Sequence, residues 1–257
     1  MIHDLILFFA GIIVGVMNAL AGGGMLVGFP LMLATGMPPL IANATANLAI
    51  LPGNIGAVFS YRRYLKKVPR SYLLLLFPVA VGAATGALLL RHTSFSSFNT
   101  LIPWLILFAV LLFIFQPFLY NVIQGHLKRR KKSKKSSKQL VLIGIAIIPL
   151  SVYGGYFGAG LGFVMLAFLG FTSLHNHIHR ANALKCCMTV CVSAVSLLCL
   201  LSSHLINWHS GLVMAGGNLI GGLSGAYLSK KVSSHSLRIS VIIIGVCTAT
   251  YLFFRSY

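Results

Sequence analysis

The chain has 257 residues, of which 58% are hydrophobic and only 8% charged, against about 25% charged in a typical soluble domain. It lacks the polar material needed to cover a water-facing surface. Asp4 is its single acidic residue, against 20 Lys and Arg, which excludes paired-carboxylate hydrolysis and carboxylate-held magnesium or calcium chemistry. No nucleophile and base stand in a recognisable arrangement, so the reading is of a protein that is not an enzyme and needs no cofactor.

The formal net charge of +19 is distributed in short runs between long apolar stretches. Arg62, Arg63, Lys66, Lys67 and Arg70 form one run, and a second opens on Lys128 and closes on Lys138. This is the charge pattern of cytoplasmic loops in a multi-pass membrane protein, not of a nucleic-acid-binding surface. The run from 128 to 138 is expected to face anionic lipid head groups.

A membrane-spanning helix needs about 20 apolar residues. Such stretches occupy 5–36, 41–61, 71–90 and 100–123, and then, after a polar segment, 140–171, 181–203, 212–229 and 239–254. Backbone groups in lipid must be satisfied within the segment, so these are predicted helices. The expected architecture is an all-α integral membrane protein of the cell membrane. About eight hydrophobic segments fall in two four-segment halves, 1–123 and 140–257, joined by a basic cytoplasmic linker, 124–139. Ala19-Leu20-Ala21 resembles a processing site, but no Lys or Arg precedes the apolar run, and the first segment is read as retained.

The two halves repeat one another. At an offset of 139, Asn43-Ala44 falls on Asn182-Ala183, Gly82 and Gly86 fall on Gly221 and Gly225, and Arg91 falls on Lys230. At an offset of 138, Ala21, Gly22 and Gly24 fall on Ala159, Gly160 and Gly162. Duplicated halves are a usual construction for transporters.

The first segment of each half is anomalous. The stretch 5–36 would be about 48 Å long as one helix, and it is interrupted by Gly22-Gly23-Gly24; its counterpart is interrupted between Gly154 and Gly160. Adjacent glycines are poor helix formers, so each segment is read as two helical pieces folded back as a hairpin. Loop charge then favours halves of opposite orientation. If each broken element enters and leaves on one face, Lys230, Lys231 and Arg238 join the other basic loops inside.

These breaks are the leading candidate site. Unwound backbone and helix N-termini inside a membrane attract anions, which nominates Gly22, Gly23, Gly24, Gly158, Gly160 and Gly162. Polar residues at the start of the following spans join them: Asn43 and Thr45 in the first half, with Asn47 nearby, and Asn182 and Lys185 in the second. Lys185 reads equally as an anion ligand or as a side chain reaching for the interface. Asn18 and Asn54 are weaker candidates. Gly82-x-x-x-Gly86 and the Gly217, Gly221, Gly225 stripe are read as close-packing surfaces.

Two other features invite other readings. His175, His177 and His179 alternate in a polar loop, which would suit a metal-ion permease; the spacing alone is weak, and no metal site is assigned. Cys186, Cys187, Cys191, Cys199 and Cys247 lie in apolar runs without a C-x-x-C pair, and they read as small buried hydrophobes. A membrane assembly or thiol-handling factor would have to rest on them.

Ala21-Gly22-Gly23-Gly24, Pro30, the turn Gly36-Met37-Pro38-Pro39 and Ala42-Asn43-Ala44-Thr45 resemble the first-half signature of the TauE/SafE sulfite exporter family. Gly158-Ala159-Gly160-Leu161-Gly162, Asn182-Ala183-Leu184-Lys185 and Trp208-x-x-Gly211 extend the resemblance through the second half. It implies a cytoplasmic-membrane permease whose partner is a small anionic solute, such as sulfite, a sulfonate or a related organosulfur anion, moved outward.

Overall fold

Large apolar side chains face outward along the long helices. Phe9, Phe77, Trp104, Leu198 and Tyr227 are each more than half exposed, while Asn18, Asn43, Thr45, Asn47, Asn54, Lys185 and Ser193 are buried. A soluble protein rarely exposes apolar patches beyond a few hundred Å²; a chain solvated by lipid does so on every side. In this computed structural model, which describes residues 2–115, 137–169, 172, 177–228 and 234–256, the chain is an all-α multi-pass membrane protein, and no strand occurs among the described residues.

The helices run in order α1 (Ile2–Ala21), α2 (Gly24–Ala34), α3 (Pro39–Ser60), a single turn α4 (Arg62–Leu65), α5 (Leu76–His92), α6 (Phe95–Ile114), α7 (Ser137–Tyr156), α8 (Leu161–Leu169), α9 (Ile178–Leu200), α10 (Trp208–Leu228) and α11 (Ser234–Ser256). A 3₁₀ turn, Arg70–Leu75, leads into α5. The helical stretches His3–Leu20, Arg70–His92, Phe95–Ile114 and Ile178–Leu200 are long and apolar enough to cross a membrane on composition alone. Helices α3 and α10 have the length but not the hydropathy, because α3 carries Asn43, Asn47 and Asn54 and α10 is rich in glycine. Their polar and glycine-bearing faces meet protein, while Phe59, Leu212, Leu223 and Tyr227 face outward. Residues 128–136 of the basic run and His175 lie outside the described residues.

Both first segments are broken. Between α1 and α2, Gly22 takes φ +73°, a left-handed value that a side chain would penalise by about 1–2 kcal/mol. Between α7 and α8, Gly158 and Gly160 take φ +76° and +75°. The second break is shorter than the sequence suggests: Gly154 and Gly155 remain helical. Gly155 lies against α5, where an added Cβ would be 2.2 Å from the Ala83 carbonyl oxygen, so its missing side chain serves packing. Helices α2 and α8, with 11 and 9 residues, are about 16 and 14 Å long. Neither crosses the roughly 30 Å of hydrocarbon.

The glycine stripes fix the packing. Gly217 and Gly221 on α10 lie against the Phe8 and Ile12 carbonyls of α1, and Gly222 lies against Gly53 of α3. Gly82 and Gly86 on α5 lie in the same way against the Ile148 and Val152 carbonyls of α7. The helices therefore exchange partners across the chain: α1, from the beginning, packs on α10, while α7, from the second half, packs on α5. Helix α3 also packs on α9, and α6 packs on α11.

Candidate solute site between the two helix breaks

The two breaks touch. A Cβ on Gly22 would lie 2.5 Å from the Gly162 carbonyl carbon, and one on Gly162 would lie 2.7 Å from the Gly22 Cα. Backbone approaches backbone because neither residue has a side chain. Phe113 of α6 covers the pair on one side: its ring would be 2.5 Å from a Cβ on Gly23 and 3.2 Å from one on Gly160. The ring also packs on Phe163, with centroids 5.7 Å apart.

A small cavity of about 30 Å³ adjoins the breaks. Gly22, Gly158 and Gly162 form its broken-helix wall; Asn18, Asn47, Asn54, Thr189 and Ser193 form its polar wall; Met25, Ile50, Leu161 and Val192 complete it. It has room for about two water molecules, so a solute would need the walls to part around it. None of these lining residues carries a charge.

The polar wall is a connected network. The Gly24 amide donates to Asn18 Oδ1 at 3.4 Å, and Asn18 Nδ2 donates to Asn54 Oδ1. Asn54 Nδ2 donates to Ser193 Oγ at 2.9 Å, and the Ser193 hydroxyl donates to the Thr189 carbonyl at 2.9 Å. Helices α1, α2, α3 and α9 are thereby tied together. Carboxamides can offer both donors and acceptors, so this wall is rich in hydrogen-bonding groups while remaining uncharged.

The ends of the broken helices are treated unequally. The C-terminal carbonyls of α1 carry its negative dipole end, and Lys185 Nζ donates to the Asn18 and Ala19 carbonyls at 3.2 Å each. At the end of α7, Asn43 Nδ2 donates to the Tyr156 carbonyl at 2.9 Å. Each cap comes from the other half of the chain. The negative helix ends are thus covered; at the positive ends the Gly24, Leu26, Leu161 and Phe163 amides are bonded to Asn18 Oδ1 and to the Gly23, Gly158 and Gly160 carbonyls, and Met25 and Gly162 border the cavity.

Of the residues singled out in the sequence, Gly22, Gly158 and Gly162 line the cavity, and Gly24 is bonded to its wall. Gly23 and Gly160 meet Phe113. Asn43 and Lys185 cap helix ends; Lys185 is buried, 1% exposed, and reaches neither the cavity lining nor the surface. Thr45 Oγ1 accepts from the Asn207 amide at 3.0 Å, holding the loop before α10. Asn182 has its Oδ1 buried without a hydrogen-bond partner. Asn18, Asn47 and Asn54 contribute more of the wall than composition suggested, and Thr189 and Ser193 were not anticipated at all. Such hydroxyls give little signal, because in a helix they bond to the preceding turn's carbonyls, as Ser193 does. Asn218, fully buried between α1 and α3 with neither amide atom partnered, was also missed.

Residues 7–252 match the family profile described as Sulfite exporter TauE/SafE. The chain belongs to the TauE/SafE family. A relative from Haemophilus influenzae (strain ATCC 51907 / DSM 11121 / KW20 / Rd), named a probable membrane transporter protein, is 30% identical over 244 residues, covering 93% of this chain and 90% of the relative. The probable membrane transporter protein YfcA of Escherichia coli (strain K12) is 26% identical, with coverage of 98% and 90%. The probable membrane transporter protein ORF9 of a Sinorhizobium species is 27% identical, with coverage of 96% and 90%. No solved structure matches the chain. This TauE/SafE protein is a multi-pass membrane transporter of the cell membrane, and its family membership implies transport rather than catalysis.

Proposed function

We propose that this protein is a secondary permease for small anions, exporting sulfite, a sulfonate or a related organosulfur anion across the cytoplasmic membrane. One observation carries the reading. Two glycine breaks meet beside a polar cavity, the negative helix ends are capped, and Met25 and Gly162, in the first turns of α2 and α8, line the cavity. On this reading, the amides around Gly22–Gly24 and Gly158–Gly162 hold the solute, with the carboxamide wall orienting it.

Energetics favour outward movement. Expelling one negative charge from an interior-negative cell gains about 2.3 kcal/mol per 100 mV, so no coupled ion is needed. The usual carboxylate proton relay has no material here: Asp4, the chain's one acidic residue, contacts His209 at 2.9 Å near the start of α1, away from the cavity.

Alternating access would follow from two halves, 1–123 and 140–257, in opposite orientation. Each would make three full crossings plus one hairpin, with the basic linker 124–139 against anionic lipid. The exchanged packing of α1 with α10 and of α7 with α5 supports this arrangement.

The test is flux in proteoliposomes holding the full-length protein, with sulfite, methanesulfonate and sulfate offered at an imposed voltage. Voltage-dependent uptake of at least one of them above that of empty vesicles is expected. Equal rates with and without protein for all of them would sink the reading.

A further inference from the structure

Lys185 is the only charged side chain buried among the described residues, and no carboxylate is available to it. The chain's one acidic residue, Asp4, lies 14 positions before Asn18 on α1, about 21 Å along the helix. It is already in contact with His209. Both of the ammonium's hydrogen-bond partners are carbonyl oxygens, those of Asn18 and Ala19, which orient the charge without neutralising it. Lys185 stands one helical turn before Thr189 and two before Ser193, both of which line the cavity, and Asn18 itself joins the Lys185 contact to the cavity wall. The Lys185 ammonium, 3.2 Å from the carbonyl of the cavity-lining Asn18, is therefore placed where its positive charge would be balanced by an anion entering an otherwise uncharged cavity.

We infer that Lys185 is the counter-charge that sets the valence of the passenger. One fixed positive charge balances one negative charge, so monoanions are carried and dianions of similar size are rejected. This inference rests on the permease reading above. A second negative charge on the solute would be buried with nothing opposite it, because the wall supplies only carboxamides, hydroxyls and backbone amides, and an unpaired charge in such surroundings is strongly disfavoured. Lys185 does not line the cavity, so it acts as a positioning residue: it holds the end of α1 and supplies the field. The monoanion class includes alkyl sulfonates and singly charged oxyanions; sulfate and other dianions fall outside it.

The experiment compares methanesulfonate with sulfate in proteoliposomes containing the full-length protein at neutral pH. Wild type is expected to carry methanesulfonate at least about tenfold faster than sulfate, moving one charge per molecule. K185M should lower the methanesulfonate rate and bring the two rates within about threefold, whereas K185R should keep the wild-type preference. N43A removes the cap at the other break without removing a charge, so it should slow both anions while leaving their ratio unchanged. A role limited to capping would make K185M behave like N43A, and that result overturns the inference. Wild type carrying both anions at similar rates also overturns it, even if K185M fails to reach the membrane, and leaves the permease reading intact. If wild type carries no anion, the permease reading falls first.

Discussion

Asn54 Nδ2 donates to Ser193 Oγ at 2.9 Å, and the two residues stand 139 positions apart, the offset at which Asn43-Ala44 falls on Asn182-Ala183. In a duplicated chain, a residue and its counterpart touch only beside the axis that exchanges the halves. The contact lies in the cavity wall, so on the inverted-repeat proposal the solute would rest where the two halves meet and where either hairpin can reach it.

The contact between Gly22 and Gly162 makes a separable prediction. Gly22→Ala incurs the left-handed conformation, about 1–2 kcal/mol, and also drives a methyl group into the backbone of Gly162. Gly36 shares the positive φ, +84°, but has nothing within 4 Å of an added Cβ. Gly36→Ala should therefore lower the melting temperature slightly and keep flux, whereas Gly22→Ala should abolish flux or folding. Thermal scanning in detergent and vesicle flux measure both; equal behaviour of the two variants would remove the importance of the contact.

Asn54 is the centre of the polar wall. Asn54→Leu strands the Asn18 Nδ2 group, at about 1–3 kcal/mol, while Ser193 keeps its bond to the Thr189 carbonyl, and anion flux should fall at least about tenfold. Asn54→Asp is nearly the same shape but brings a carboxylate into the wall. It should suppress anion flux further than Asn54→Leu does. If Asn54→Asp transports like wild type, the cavity is not the anion path.

Helix stripes and lipid-facing residues should respond in opposite ways. Gly86→Leu and Gly221→Leu push bulk into the α7 and α1 backbones and should eliminate the monodisperse peak in fluorescence-detected size-exclusion chromatography. Phe77, 76% exposed, has lipid for a neighbour. Phe77→Ala should leave that peak in place, with a stability change within about 0.5 kcal/mol.

The thiols provide a fourth test. All five cysteines are free: Cys186 is buried, Cys187, Cys191 and Cys199 are half-buried, and Cys247 is exposed. Replacing all five with Ala removes small side chains and one weak thiol bond, from Cys191 to the Leu76 carbonyl, and flux should stay within about twofold of wild type. Complete loss of flux in a protein that still folds would favour thiol chemistry over simple permeation.

Local physics explains what the sequence alone determined. Three adjacent glycines destabilise a helix wherever it packs, so the first break was legible before any contact was known. The same holds for apolar length, for basic loops and for glycines spaced four apart, whose close-packing role needs no partner to be recognised. Only the tertiary structure decided that α1 packs on α10 while α7 packs on α5, that Lys185 caps a helix more than 160 positions earlier, and that Asn54 and Ser193 share a wall. Those outcomes depend on which distant surfaces fit together. A serine or asparagine looks the same in sequence whether it bonds to its own helix, to a neighbour or to a passenger, because its hydrogen-bonding capacity is local and its partner is not.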